Sequence, residues 1–351
     1  MLESIIRFSI SQRWLVLAVV FGLAALGIYN FNRLPIDAVP DITNVQVQIN
    51  TEAPGYSPLE TEQRITFPVE TAISGLPDLD YTRSVSRYGL SQVTVIFDDG
   101  TDIYRARQLV SERIQSVRAT LPEGVSPELG PIATGLGEIY MYILSAEPGA
   151  LTEYGARYTA MDLRTLNDWV VLPQLRTVEG VTEVNTIGGF KKEIHILPDP
   201  AALAGFDLTL DDIIGAVEAN NANTGAGYIE RHGEQNLIRV PGQANSLDDL
   251  RNITVKDTGA FGIRLSDVAE ITIGEELRTG AATQNGEEVI LGTAFMLVGE
   301  NSRTVSVAVD ERVDEIRPGL PDGVQITPVY NRTTLVDATI ATVEKNLAEG
   351  A

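Results

Sequence analysis

The chain has 351 residues, 44% of them hydrophobic and 21% charged, with no cysteine and a formal net charge of −22. That length calls for more than one core, and that balance suits globular domains rather than disorder. The charge argues against a nucleic-acid surface, which needs clustered Lys and Arg, and the missing cysteines exclude disulfides and thiolate metal sites.

The stretch Trp14 to Phe31, "WLVLAVVFGLAALGIYNF", carries no ionisable side chain except the Tyr29 phenol, and ten of its residues are Leu, Ile, Val or Phe. At ~1.5 Å per residue it covers most of a ~30 Å hydrocarbon layer. Its side chains favour insertion by roughly 3 to 6 kcal/mol. Trp14 and Tyr29 sit near its ends, where amphipathic rings prefer the interface. Arg7 and Arg13 precede it, whereas Asp37 and Asp41 follow soon after Arg33, a bias that places the N-terminus in the cytoplasm. A cleaved signal peptide would be shorter and end in small residues; "NRLPIDAVPD" follows instead, so a retained transmembrane helix is expected over 1–32.

Next, "TNVQVQIN" alternates as a half-buried strand. Ser57, Pro58 and Glu60 open a helix with a capping box and proline at its first position; Pro68 should kink it, and Leu76 and Pro77 close it. Two strands, "DYTRSVSRYG" and "SQVTVIFDDG", lead to a second helix from Thr101 or Asp102. Ile103, Ala106, Leu109, Val110, Ile114, Val117 and Leu121 form its apolar stripe. A closing strand in "LPEGVSPELGP" completes a split βαβ unit.

A related pattern then restarts. "EIYMYILSAE" is a strand and "TAMDLRTLNDWVVLPQL" a helix, followed by the strands "VTEVNTIGG" and "KKEIHILPD". Much later "EEVILGTAFMLVGE", "SRTVSVAVDERVDEIRP" and "VQITPVYNRT" add strand, helix and strand. The stretch between has its own character. It holds a short capped helix "DLTLDDIIGAVEANN", a Gly-punctuated hairpin "TGAGYIERHGEQNLIRVPGQ" and another short helix "SLDDLRNI". A second βαβ domain interrupted by an insertion is expected. Leu335, Ile340, Val343 and Leu347 mark a helix still running at the last residue, as if a second span were about to begin.

Read together, "RLPIDAVPDITNVQVQI", "SRYGLSQVTVIFDDGTDIYRARQLVSERI", "GPIATGLGEIY", "TIGGF", "NTGAGYIERHGEQ" and "LRTGAATQNGEEVILGTAFMLVGENSR" resemble, in order and over essentially the whole chain, the N-terminal part of a resistance-nodulation-division transporter. The resemblance is to the heavy-metal efflux branch, the CzcA/CusA type; "SRYGLSQVTVIF" and "GENSR" favour the divalent-cation side over the copper/silver side. It implies an α+β fold: one N-terminal transmembrane helix, then two split-βαβ (ferredoxin-like) porter subdomains. The first covers 33–134 and the second 135–184 and 276–332. A docking subdomain is inserted at 185–275, and 333–351 begins the helix toward a second span. It implies an inner-membrane location with the bulk periplasmic, a homotrimer, a membrane-fusion adaptor and an outer-membrane channel as partners, and proton-driven export of Zn, Co or Cd. No enzyme activity and no cofactor are expected, the metal being cargo. Two rival readings stand: an exporter of organic compounds, and a single-span periplasmic adaptor or sensor. Against them, the chain is only 6% aromatic and lacks long coiled-coil heptads.

Oxygen ligands suit weak, releasable cation sites. Glu138, after Gly135 and Gly137, and Asp168, beside Trp169, resemble the cation ligands of such pumps; alternatively Glu138 ends a strand and Asp168 is a solvated helix position. The hairpin residues Gly225, Gly227, Tyr228, Arg231 and Gly233 match the loop that docks into a neighbouring subunit. His195 and His232 lack ligand partners at helical spacing. Asp98 to Asp102 lack calcium-loop spacing and read as a strand-to-helix turn. Met1, Met141, Met161 and Met296 form no thioether cluster, and no hydrolytic or nucleotide-binding constellation stands out.

Overall fold

The computed structural model describes residues 10–31, 43–222, 224–231, 234–240, 242–257, 259, 262–277 and 280–350. Arg7, Arg33, Asp37 and Asp41, which set the expected orientation, lie outside them. The chain divides into two compact units: Met1–Tyr158, Leu166–Ile187 and Val289–Ala351 form one, Thr159–Thr165 and Gly188–Glu288 the other.

The first unit opens with helix α1 (Arg13–Phe31), whose Trp14 and Phe21 are 76% and 71% exposed. Among the described residues no helix is long and apolar enough to cross a membrane.

Strand β1 (Gln46–Glu52) is the centre of a four-stranded antiparallel sheet with β2 (Leu79–Arg87), β3 (Leu90–Phe97) and β4 (Pro127–Leu129), in the order β2-β3-β1-β4. Alternation buries Val47, Ile49 and Thr51 of β1, and Ile49 stands opposite Val93. Two helices supply the rest of this core. Helix α2 covers 58–73 as Pro58–Thr61, a π turn at Glu62–Thr66 and Phe67–Ile73. Helix α3 (Ile103–Val117) begins where Asp102 accepts a hydrogen bond from the Arg105 amide at 2.8 Å. Val69 and Ile73 of α2 and Ala106, Val110, Ile114 and Val117 of α3 pack with Val47, Ile49, Val93, Val95 and Phe97.

Helix α2 differs from expectation at its end. It ends at Ile73 rather than at Leu76, because Gly75 takes φ +81°, and Leu76 then turns back into the core. The helix runs on through Pro68, where it carries a π turn rather than regular α geometry. The proline ring cannot tolerate the carbonyl of Arg64, four residues earlier, and the widened π turn that contains Arg64 absorbs the misfit.

The second sheet repeats the arrangement. In this five-stranded sheet β5 (Glu138–Ala146) lies between β14 (Glu287–Met296) and β15 (Val324–Asn331), and both β6 (Val181–Ile187) and the short β13 (Ala282–Gln284) pair with β14. Leaving the short β13 aside, the strands of each module, numbered along the chain, lie as second, third, first, fourth, which is the split βαβ order. Helix α4 covers 160–175 and again contains a π turn, Asn167–Val171, two residues before a proline, Pro173. Helix α9 (Ser302–Ile316) is capped by Asn301, which accepts from the Arg303 and Thr304 amides, and buries Val305, Val309, Val313 and Ile316. A final helix, α10 (Arg332–Gly350), is tied to α9 by the Arg303–Asp337 ion pair at 2.6 Å.

The second unit pairs β7 (Lys192–Pro198) with β12 (Ala269–Glu275), β8 (Thr224–Arg231) with β9 (Glu234–Val240), and β10 (Thr254–Asp257) with β11 (Gly262–Arg264). Four short helices join them: α5 (Pro200–Phe206), α6 (Leu210–Asn220), α7 (Leu247–Arg251) and α8 (Leu265–Val268). Ile213, Leu250, Ile253, Ile263, Leu265 and Ile271 are in its core.

Candidate functional site

Glu138 is the first residue of β5, directly after a tight helical turn at Gly135–Gly137, and is half-buried. Gly137 is there because the chain runs against β14: a Cβ at this position would stand 3.1 Å from the Met296 carbonyl oxygen. Glu138 itself faces Phe295 across the sheet, next to a register shift between Ala294 and Phe295.

Asp168 stands in the π turn of α4 and is also half-buried. Its Oδ1 accepts from the Thr186 hydroxyl at 3.1 Å, and the same hydroxyl accepts from the Asn167 side-chain amide at 2.7 Å. Asn167 is fully buried, and its Oδ1 accepts from the Tyr142 hydroxyl at 2.8 Å. Tyr142 is fully buried too, its ring lying across Gly292 of β14, where a Cβ would fall 2.1 Å from ring carbon Cζ. Burial first, and the nearby Asp168 charge second, push the Tyr142 phenol far above its ordinary range, so it stays a donor. The four side chains form one path from a buried phenol to a half-exposed carboxylate.

An open cleft of about 510 Å³ lies where the two βαβ modules meet. Val45 and Ile103 come from the first module; Ile132, Leu136, Met296 and Val298 line it further along the chain, and among the described residues Glu300 is the carboxylate that lines it. Neither Glu138 nor Asp168 is among the lining residues, although Glu138 follows lining residue Gly137 directly. Among the described residues no three His, Asp or Glu side chains gather as a metal-holding group.

In the hairpin, Gly225 pairs with Arg239, Tyr228 with Leu237 and Arg231 with Glu234, and Tyr228 is exposed. A register shift falls between Gly225 and Tyr228, around Gly227. Gly233 and His232 lie outside the described residues. His195 lies over Gly274 of β12, 3.3 Å from Glu193, with side chains 37% and 42% exposed. Sequence reasoning missed Tyr142, Asn167 and Thr186 as partners of Asp168. The one available signal was a proline inside each module's first helix, which marks a π turn only once the helix is known to continue.

The profile of the AcrB/AcrD/AcrF family matches residues 5–351. The chain is 63% identical over 351 residues to the cobalt-zinc-cadmium resistance protein CzcA of Cupriavidus metallidurans, which covers 100% of this chain and 33% of that protein. It is 38% identical over 351 residues to the cation efflux system protein CusA of Escherichia coli, covering 99% of this chain and 33% of that protein. The crystal structure of a heavy metal efflux pump (crystal form I) superposes with a TM-score of 0.84 at 34% identity, over 95% of this chain and 33% of the pump. The chain therefore spans about a third of the length of these relatives.

Proposed function

The chain belongs to the AcrB/AcrD/AcrF family, and from that premise we propose that it is the N-terminal part of an inner-membrane, proton-driven efflux pump for Zn, Co or Cd cations. The observation that carries this reading is the 63% identity, over the entire chain, to a protein named for cobalt, zinc and cadmium resistance. Two half-buried carboxylates, Glu138 and Asp168, belong to the cation path in this reading. Labile divalent cargo calls for such donors, since a tight cage would not release it.

In this reading α1 is the first membrane span. Its support is a 19-residue helix with exposed Trp14, Leu15, Val19, Val20, Phe21 and Leu23, side chains that leave water only if lipid or protein covers them. The two βαβ modules and the second unit are then periplasmic. The pump works as a trimer, with the β8–β9 hairpin against a neighbouring subunit and with a membrane-fusion adaptor and an outer-membrane channel as partners. A second reading, export of organic compounds, draws on the largely apolar lining of the inter-module cleft.

The deciding experiment deletes the gene from its host and scores growth on Zn²⁺, Co²⁺, Cd²⁺ and a panel of organic cations. Lost metal tolerance with unchanged tolerance of the organic panel supports the metal reading. The reverse pattern refutes it.

A further inference from the structure

The first βαβ module contains a carboxylate that, like Asp168, accepts from a strand hydroxyl. Helix α2 has its π turn at Glu62–Thr66, two residues before Pro68, as α4 has its π turn two residues before Pro173. Ser86 of β2 donates to Glu62 Oε2 through a short hydrogen bond, as Thr186 of β6 donates to Asp168. Each hydroxyl sits one residue before the end of its module's second strand. Each also bonds the buried polar residue of its π turn: Thr66 to Ser86 at 2.8 Å, Asn167 to Thr186 at 2.7 Å. Thr66 and Asn167 are both fully buried.

The correspondence is spatial rather than sequential. Glu62 precedes Thr66 by four residues, whereas Asp168 follows Asn167 by one, so aligning the two helices by sequence does not reveal it.

Buried Thr66 has further oxygen partners. Thr66 Oγ1 lies 2.7 Å from Ser91 Oγ and 3.3 Å from the Thr61 carbonyl oxygen. The Thr61 hydroxyl, in the residue directly before Glu62, is fully buried and has no hydrogen-bond partner. Glu62 is exposed, and its second carboxylate oxygen has no hydrogen-bond partner among the described residues.

We propose that Glu62, oriented by Ser86, is a contact for a divalent cation in the first module, the counterpart of Asp168 oriented by Thr186 in the second. The donors are all oxygen, which selects a hard or borderline cation held weakly. This deepens the cation-path reading of Asp168 and rests on it. Ser86 is a positioning residue: it fixes one carboxylate oxygen and leaves the other for the ion.

The test uses the complete pump in proteoliposomes with Zn²⁺ as the probe. Glu62→Gln and Asp168→Asn are each expected to raise the half-saturating Zn²⁺ concentration roughly three- to fivefold, the effect of losing one exposed charge contact, with kcat little changed. Glu62→Asp restores most of the shift, and Ser86→Ala moves the half-saturating concentration in the same direction as Glu62→Gln. A purely structural Glu62 would lower kcat or expression and leave the half-saturation point in place. If Asp168→Asn shifts half-saturation and Glu62→Gln does not, the assignment of Glu62 is overturned while the cation-path reading stands. If neither shifts it, both fall.

Discussion

Gly292→Ala tests the buried half of the Asp168 network. The new methyl group would stand 2.1 Å from Cζ, 2.4 Å from Cε1 and 2.4 Å from the hydroxyl oxygen of Tyr142, all inside van der Waals contact. Tyr142 is fully buried and cannot swing into solvent, so ring and strand must part. Overpacking of this kind costs about 1–3 kcal/mol. The moved hydroxyl also loses its bond to Asn167, and leaving that buried amide unpaired adds about 1–3 kcal/mol. The sum, about 2–6 kcal/mol, is a large share of a domain's stability. Urea unfolding of the purified protein, followed by tyrosine fluorescence, measures it. Gly292→Ala combined with Tyr142→Leu should recover part of the loss, because the smaller side chain makes room for the methyl group. If Gly292→Ala unfolds within about 0.5 kcal/mol of the parent protein, a shift typical of an unconstrained surface position, the account of this glycine is wrong.

Three further outcomes follow from the same geometry. Tyr140, which donates to Asp310 at 2.5 Å, and Tyr142 both have phenols raised by burial above their ordinary value of 10.0. The unfolded phenols ionise first, so the stability these groups add is complete below pH 10 and drains away as pH rises beyond it; Tyr140→Phe should flatten that alkaline loss in a pH series of thermal melts. Asn301→Ala removes the cap of α9 and should cost about 1 kcal/mol, read by urea unfolding, with Asn301→Asp close to neutral. Replacing Glu138 by Ala in the complete pump should lower zinc and cobalt tolerance at equal expression; unchanged tolerance removes Glu138 from the cation path.

Much of the fold was legible from residue patterns. Alternation in "TNVQVQIN", the Ser57–Glu60 box and the Asp102 cap each depend on residues within a few positions of one another, and each appears where local chemistry places it. The strand, helix, strand, strand, helix, strand order of both modules could be read along the chain. The 2-3-1-4 arrangement then follows because two helical crossovers must cover one face of each sheet. The end of α2 and the π turn that accommodates Pro68 were not legible. A glycine at positive φ and a π turn are choices among backbone states that the sequence allows but does not select.

The candidate site was legible only in part. Glu138 and Asp168 can be picked out as carboxylates in unusual neighbourhoods, but nothing near Asp168 in the chain points to Thr186 eighteen residues on or to Tyr142 before it. What the amino-acid order determined by itself was set by short-range forces: apolar periodicity, caps, turn residues and the long uncharged stretch over Trp14–Phe31. Only the tertiary structure decided which hydroxyl meets which carboxylate, that a bare Cα at Gly292 lets a tyrosine lie across a strand, and that Glu62 and Asp168 occupy matching places in two modules. Those outcomes depend on strand register and on side chains sharing one crowded interior, where a contact forms between residues that are distant along the chain and is fixed by packing rather than by propensity.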